Sequence, residues 1–370
     1  MHSPGPTASV VPVPRQKPRL ARIADSLGVS TATVSNALSG KGRVSPELAE
    51  RIRATAAELG YVPSLAGRAL RTGRSGVLGL VLPDIANPLF PQIAQAIENA
   101  AAKVGYGVLI ADSHGDVAAQ TQAIDRLIGR GVDGLVVVPR RGTRVVAVDC
   151  PVAVIDSPST PGNTVSADHW AGGMQLGQHL SSLGHTHVLL VGNSTASNVQ
   201  SDRLGGIKAG LGSGSTEMVW IEKLEAKGGK NCPLGLAEAV GRGVTAIATV
   251  SDLIALRALT ELHQAGISVP DDASVTGFDD LIWSSVITPG LTTMRMDVAT
   301  IADIAVQALM QAIGSPAENE ARHSEGNSVV ASQSKVPMEL VLRQSTGPVK
   351  GSAPRSNNKA KNLTAGELTS

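Results

Sequence analysis

The stretch Gly28–Ser45, GVSTATVSNALSGKGRVS, holds side chains suited to a DNA groove at helical spacing. If a helix starts near Thr31, then Val34, Ala37 and Leu38 share one face, and Thr31, Ala32, Ser35 and Asn36 share the opposite face. The chemistry of that outer face is recognition. An asparagine amide pairs with an adenine edge, and Ala32 offers only a methyl group, which suits a thymine methyl. An ordinary small helix with a solvated polar face has the same pattern, so these residues alone leave both readings open.

A second set of candidates follows β-like runs further along the chain. Asp84, with Asn87-Pro88-Leu89-Phe90 just after it, follows VLGLVLP; Asp112 ends YGVLIAD; Asp156 ends VAVID. Ligands of parallel sheets bind outside the carboxyl ends of the strands, where such residues collect. For Asp112 and Asp156 a structural role is equally open. Phe90 is placed to line such a cleft, with a core role comparably open. A catalytic or metal centre has little support. The chain lacks GxxxxGK, GxSxG and HExxH. His185 and His187 sit two apart at a strand entry, and Cys150 and Cys232 form no CxxC. No cofactor, no metal and no enzymatic activity are expected.

These residues need elements to position them. Leu20, Ile23, Ala24 and Leu27 recur at i, i+3, i+4 and i+7, which predicts a first short helix. Gly28-Val29-Ser30 breaks it, and Ser30 or Thr31 can cap the next helix. Ser45-Pro46 opens a third helix on the stripe Leu48, Ile52, Ala56 and Leu59, and Gly60 stops it. Two short helices joined by a glycine turn form a helix-turn-helix, whose second helix fits the major groove. From Gly76 onward, strand-like and helical runs alternate, and the alternation restarts at HVLLVG (187–192). That predicts a βα-type parallel sheet built twice. The fold class expected is an α helix-turn-helix head plus an α/β core of two Rossmann-like parallel-sheet lobes.

Charge divides the chain at the same place. Residues 1–75 carry eleven Lys/Arg against four Asp/Glu, and the remainder carries 21 against 27, so a head of +7 and a body of −6 hide behind a net +1. A basic head on an acidic body is the footprint of a nucleic-acid binder whose body has another task. No apolar run approaches the ~20 residues of a membrane helix. The proline-rich start lacks the layout of a signal peptide, and two separated cysteines suit a reducing compartment, so a cytoplasmic location is expected.

The segment IADSLGVSTATVSNALSGKGRVSPELAERIRATAAELGYVPS resembles the DNA-binding head of the lactose-repressor (LacI/GalR) family. That head reads IA-x-x-x-GVS-x-x-TVS, later VS, and a helix ending in LGY-x-PN. The resemblance spans roughly residues 19–345. It implies a periplasmic-binding-protein-like core with an effector cleft between its lobes, and phosphate contacts from Thr33, Ser30, Ser35 and Arg43. It also implies a hinge helix in VPSLAGRALRTGRS, with Ser64, Ala66 and Leu70 as DNA contacts. Leu70 matches the leucine that wedges into the minor groove, and Ser64 stands where relatives usually have Asn. Where relatives often read TVSR, this chain has Asn36, which favours a different base from an arginine's guanine.

In the body, the resemblance assigns effector contacts to Arg203 of DRLGG and to Asp279 of GFDD. A guanidinium facing a carboxylate suits vicinal sugar hydroxyls, although a structural ion pair would leave the same residues. Ser251 replaces the asparagine that relatives place before Asp252, offering a shorter contact. The chain has three Trp, two Tyr and two Phe. Trp220 falls where relatives stack an aromatic ring on the sugar, Trp283 reads as a rim residue, and Trp170 is as readily simple packing.

The expected layout is a leader at 1–18, the head at 19–63, a hinge at 64–74, a core at 75–346 and a tail at 347–370. Within the core, one lobe takes about 75–167 plus 295–330 and the other about 168–294 plus 331–346, with 315–335 read as a loop insertion. The implied protein is a dimeric repressor on a palindromic operator, responsive to a small-molecule effector, a sugar or sugar derivative. A solute-binding protein without a DNA role and a co-repressor-dependent regulator are the alternatives.

Overall fold

A computed structural model describes residues 20–39, 44–61, 73–139, 150–157, 162–314, 330 and 332–350. The chain divides into two compact units, Met1–Ser75 and Gly76–Ser370.

The described residues of the first unit form three helices: α1 (Leu20–Leu27), α2 (Thr31–Ser39) and α3 (Pro46–Glu58). Gly28 turns the chain at φ 65°, a conformation glycine adopts without steric cost. Val29 N–H then closes α1 on the Ala24 carbonyl at 3.0 Å. Ser45 caps α3 by accepting from Leu48 N–H at 3.3 Å, with Pro46 at the first helical position. Ile23, Ala24, Val34, Ala37, Ala49, Ile52 and Ala56 form the buried core, and Leu20, Leu27, Leu38, Leu48 and Leu59 pack around it half-buried.

The second unit is two six-stranded sheets. The amino-terminal lobe contains β1 (Val77–Leu82), α4 (Leu89–Lys103), β2 (Gly107–Asp112), α5 (Val117–Ile128), β3 (Gly134–Val137), β4 (Val152–Ile155) and β5 (Asn163–Ala167). The carboxyl-terminal lobe continues with α6 (His169–Ser182), β6 (His187–Gly192), α7 (Asn198–Leu211), β7 (Ser215–Trp220), α8 (Ile221–Gly228), α9 (Leu236–Gly241), β8 (Ala246–Thr249), α10 (Asp252–Gln264), β9 (Ser274–Phe278) and β10 (Thr292–Met296). The chain then returns through α11 (Val298–Gly314), β11 (Ser334–Val336) and β12 (Met338–Val341).

Strand order is β11-β5-β4-β3-β1-β2 in one sheet and β12-β10-β9-β8-β6-β7 in the other. Every pairing is parallel except the antiparallel edge between β10 and β12. Central strands such as β3 and β8 are buried along their length, which is why they read as unbroken apolar runs.

The chain passes between lobes three times, and the structure moves two of the crossings from their expected places. The second follows β10, at Met296 rather than 294, since Met296 still pairs with Met338 of β12. The third lies at Pro337 rather than 331, because Ser334–Val336 pairs with Val165–Ala167 of β5 in the amino-terminal sheet. Val330 N–H donates to Val152 O, and Gln333 N–H donates to Asn163 O. The end of the stretch read as an inserted loop is therefore an edge strand. Its polar sequence hid this, since an edge strand needs no apolar face on its solvent side. Residues 315–329 lie outside the described residues.

Among the described residues, no helix is long and apolar enough to cross a membrane, and no group of three His, Cys, Asp or Glu is placed to hold a metal ion.

Candidate functional site

The head presents its polar residues from a capped helix. The Ser30 hydroxyl accepts from Thr33 N–H at 3.0 Å and shares a 2.8 Å hydrogen bond with the Thr33 hydroxyl. Two residues expected at phosphates thus also pin the start of α2. Thr31, Ala32 and Asn36 are exposed, Thr33 and Ser35 are half-buried, and Val34 and Ala37 face inward. One short helix carries both the packing face and a polar face for recognition. Arg43, Ser64, Ala66 and Leu70 lie outside the described residues.

In the second unit a cavity of about 1150 Å³ opens between the two lobes, somewhat larger than the usual small-molecule pocket. Asp84, Asn87, Phe90 and Asp156 line it from the amino-terminal lobe, and Arg203, Ser251 and Asp279 from the carboxyl-terminal lobe. All but Arg203, which lies in the second turn of α7, sit at or just beyond a strand end or a helix start. Asp156 and Asp279 have positive φ, 57° and 104°, which L residues rarely adopt. Backbone strain of this kind persists where the surroundings over-determine it. Asp156 N–H donates to Val165 O, and Asp279 N–H to Met294 O.

The charged groups of the cleft form one chain of bonds. Arg203 Nη1 donates to Asp279 Oδ1 at 2.9 Å and to the Val250 carbonyl at 2.7 Å. Arg203 Nε donates to His169 Nδ1 at 3.2 Å, and His169 Nε2 lies 2.6 Å from Asp156 Oδ1. The guanidinium also sits over the Phe278 ring, 4.7 Å from its centroid. Arg203 is only 3% exposed, a burial tolerated because the charge is paired and its Nε and Nη1 donors are engaged. Its place depends on close helix packing. A Cβ on Gly173 of α6 would collide with the Arg203 carbonyl of α7, so glycine there lets the two helices approach.

Burial pushes the Asp279 carboxyl up to about 7, with Arg203 opposing and the carboxylates of Asp252 and Asp156 adding to the rise. At Asp156 burial also acts upward, but His169 and Arg203 outweigh it and hold the group below the ordinary carboxylate value. Asp252 is raised to about 6, chiefly by burial. Its oxygens accept from Leu281 N–H (2.8 Å), Ser284 Oγ (2.6 Å) and Thr293 Oγ1 (2.5 Å), tying the loop after β9 to the start of α10. Ser251 caps α10 by accepting from Ile254 N–H at 3.4 Å, which leaves its hydroxyl proton available on the cleft wall.

Three residues expected at the effector do not line this cavity. Asp112 Oδ1 accepts from His114 N–H at 2.8 Å and Oδ2 from Ile85 N–H at 3.3 Å, so it ties two strand-end loops together. Trp220 lays its ring in the space that a Cβ on Gly192, its neighbour across β6 and β7, would occupy. Trp283 sits in a single 3₁₀ turn, Ile282–Ser285, away from the cavity lining. Trp170 packs its ring on Gly205. Conversely, His169 was absent from the sequence-derived site. A lone histidine at a helix start has no distinguishing spacing, and only the fold brings it between Asp156 and Arg203.

A three-helix head with a capped, outward-facing second helix, joined in one chain to a two-lobed body with a charged cleft, defines a ligand-responsive DNA-binding regulator as the class. Residues 19–64 match bacterial regulatory proteins of the lacI family, and residues 178–346 match the periplasmic binding protein-like domain. The HTH-type transcriptional regulator MalR of Streptomyces coelicolor (strain ATCC BAA-471 / A3(2) / M145) is 32% identical, over 90% of this chain and 98% of its own. The lac repressor dimer, solved bound to operator and the anti-inducer ONPF, superposes with a TM-score of 0.72 at 26% identity, covering 90% of this chain and all (100%) of that one. A LacI family transcriptional regulator from Enterococcus faecalis V583, solved with bound ribose, gives a TM-score of 0.62 at 26% identity, covering 74% of this chain and 100% of its own. The chain belongs to the lacI family of bacterial regulatory proteins.

Proposed function

We propose that this protein is a cytoplasmic, dimeric transcriptional repressor, and not an enzyme. In this reading a small polyhydroxylated effector, a sugar or sugar derivative, binds the interlobe cleft and changes affinity for a palindromic operator. The observation that carries the reading is the Arg203–Asp279 pair on the wall of the interlobe cleft, in a chain that also bears the helix-turn-helix head. Charge-assisted bonds from such a pair suit vicinal hydroxyls. The lac repressor and the ribose-bound regulator, both relatives in fold, are known with operator or sugar in place.

Thr31, Ala32, Ser35 and Asn36 read bases or backbone in the major groove, with Ser30, Thr33 and Arg43 at phosphates. Ser64, Ala66 and Leu70 act at the minor groove. Phe90, Asp156, Arg203, Ser251 and Asp279 contact the effector. Exposed apolar side chains support self-association: Ile282 (73% exposed) and Val286 (71%) in and after the 3₁₀ turn, and Leu253 (44%) at the start of α10. Asp252 holds those two segments together. Coupling between cleft and operator is then one free energy shared by two sites.

A mobility-shift titration of the full chain on DNA upstream of its own gene tests the reading. The expected result is sequence-specific binding that weakens steeply with salt, since each neutralised phosphate releases counterions. Absence of any specific, salt-sensitive complex would overturn it.

A further inference from the structure

We propose that His169 is a positioning residue that fastens the ligand grip of the carboxyl-terminal lobe to the amino-terminal lobe, so that aiming Arg203 and holding the lobes together are one event. The inference rests on reading the cleft as the effector site. Asp156 directly follows β4 in one lobe, whereas His169 opens α6 in the other, immediately after the chain has crossed. The imidazole spans that boundary with its side chain completely buried (0% exposed).

Both ring nitrogens are committed, and their partners dictate the tautomer. The Nε–H of Arg203 can only donate, so His169 Nδ1 must keep its lone pair. The ring proton therefore sits on Nε2, which donates to Asp156 Oδ1. No other uncharged side chain offers an acceptor and a donor on opposite sides of a rigid ring. An asparagine would reach the Arg203 side and a glutamine the Asp156 side, but neither can span both. The chain of bonds then continues through Arg203 Nη1 to Asp279 and Val250 O, which sets the plane of the guanidinium on the cleft wall. Displacing Asp156 relative to α6 would break the first link and release the orientation of Arg203 at the second.

The bland alternative is a buried histidine whose polar atoms are merely satisfied. Two measurements on the full chain separate these, and neither needs an effector, so they stand independently of the effector reading. The first is long-range ¹H–¹⁵N NMR of the imidazoles, with His169 assigned by its loss in His169→Leu. The expected spectrum has Nε2 protonated and Nδ1 bare. A protonated Nδ1 would overturn the proposal, and this arm uses the unmutated protein. The second is a pair of double-mutant cycles read as Tm: His169→Leu with Asp156→Asn, and His169→Leu with Arg203→Lys. A relay makes each double variant lose less than the sum of its singles, by about 3 °C. Additive losses in both cycles would reduce His169 to packing.

Discussion

The head and the cleft both use polar residues for recognition, but they solve opposite physical problems. In the head, Thr31, Ala32 and Asn36 are exposed, and the fold rests on the seven small and branched apolar residues beneath them. The recognition face can change without disturbing what holds the helices. In the cleft, Arg203 and Asp279 are almost buried, so each is the condition for the other's burial. Base recognition and stability are separable on the outer face of α2, where only Ser30 and Thr33 serve both, and inseparable in the cleft.

The sharpest way to break that contrast is Arg203→Ala. It strands Asp279 and His169 without their donor, and a loss of about 3–5 kcal/mol in the stability of the body is expected. Calorimetric unfolding of the full chain checks this, with the head's transition unmoved. A loss below 1 kcal/mol would mean that the pair is not a structural necessity.

The pH dependence of the same transition comes next. Asp279 rises from its ordinary 3.8 to about 7 in the folded chain. The folded state therefore holds a proton that the unfolded state releases between those values. That contribution favours the fold below pH 4 and is lost as pH climbs toward 7, after which it is flat. Asp279→Asn should flatten the slope of Tm between pH 5 and 7 relative to the parent chain. An unchanged slope would place the proton elsewhere.

Asn36→Ala, in the head, should leave unfolding within about 0.5 kcal/mol of the parent. It should relax discrimination at one base pair by about 1–3 kcal/mol, read from binding to a set of single-substituted operators. Equal weakening on every sequence would instead make Asn36 a backbone contact. The smallest effect expected is that of Ser30→Ala, about 1 kcal/mol in the head alone from a lost cap. Its measurement is thermal melting of the head followed by helix circular dichroism. If the body melted earlier as well, the two regions would not be energetically separate.

Sequence and structure agree best where the relevant contacts are local. The turn at Gly28, the start of α3 at Ser45-Pro46 and the apolar faces of α1 to α3 depend on neighbours within a few residues, so periodicity and residue type were enough to find them. Parallel strands such as β1, β3 and β8 were legible because burial on both faces demands unbroken apolar runs. The strand β11 was not, because an edge strand carries no such demand. Trp220 illustrates the same limit. Its type and its place at a strand end suit ligand stacking equally well, yet a glycine at 192 on the adjacent strand gives the ring a place to pack.

What the sequence by itself determined is the order of elements, the polar face of α2 and the pairing of a basic head with an acidic body, since all of these follow from spacing and composition. What only the tertiary structure decided is which strand-end residues meet. Asp156, His169, Arg203 and Asp279 are spread over more than a hundred positions of the chain. They become one bonded series because three interlobe crossings and a glycine-lined contact between α6 and α7 bring their side chains within hydrogen-bond reach, and no local pattern encodes a distance of that kind.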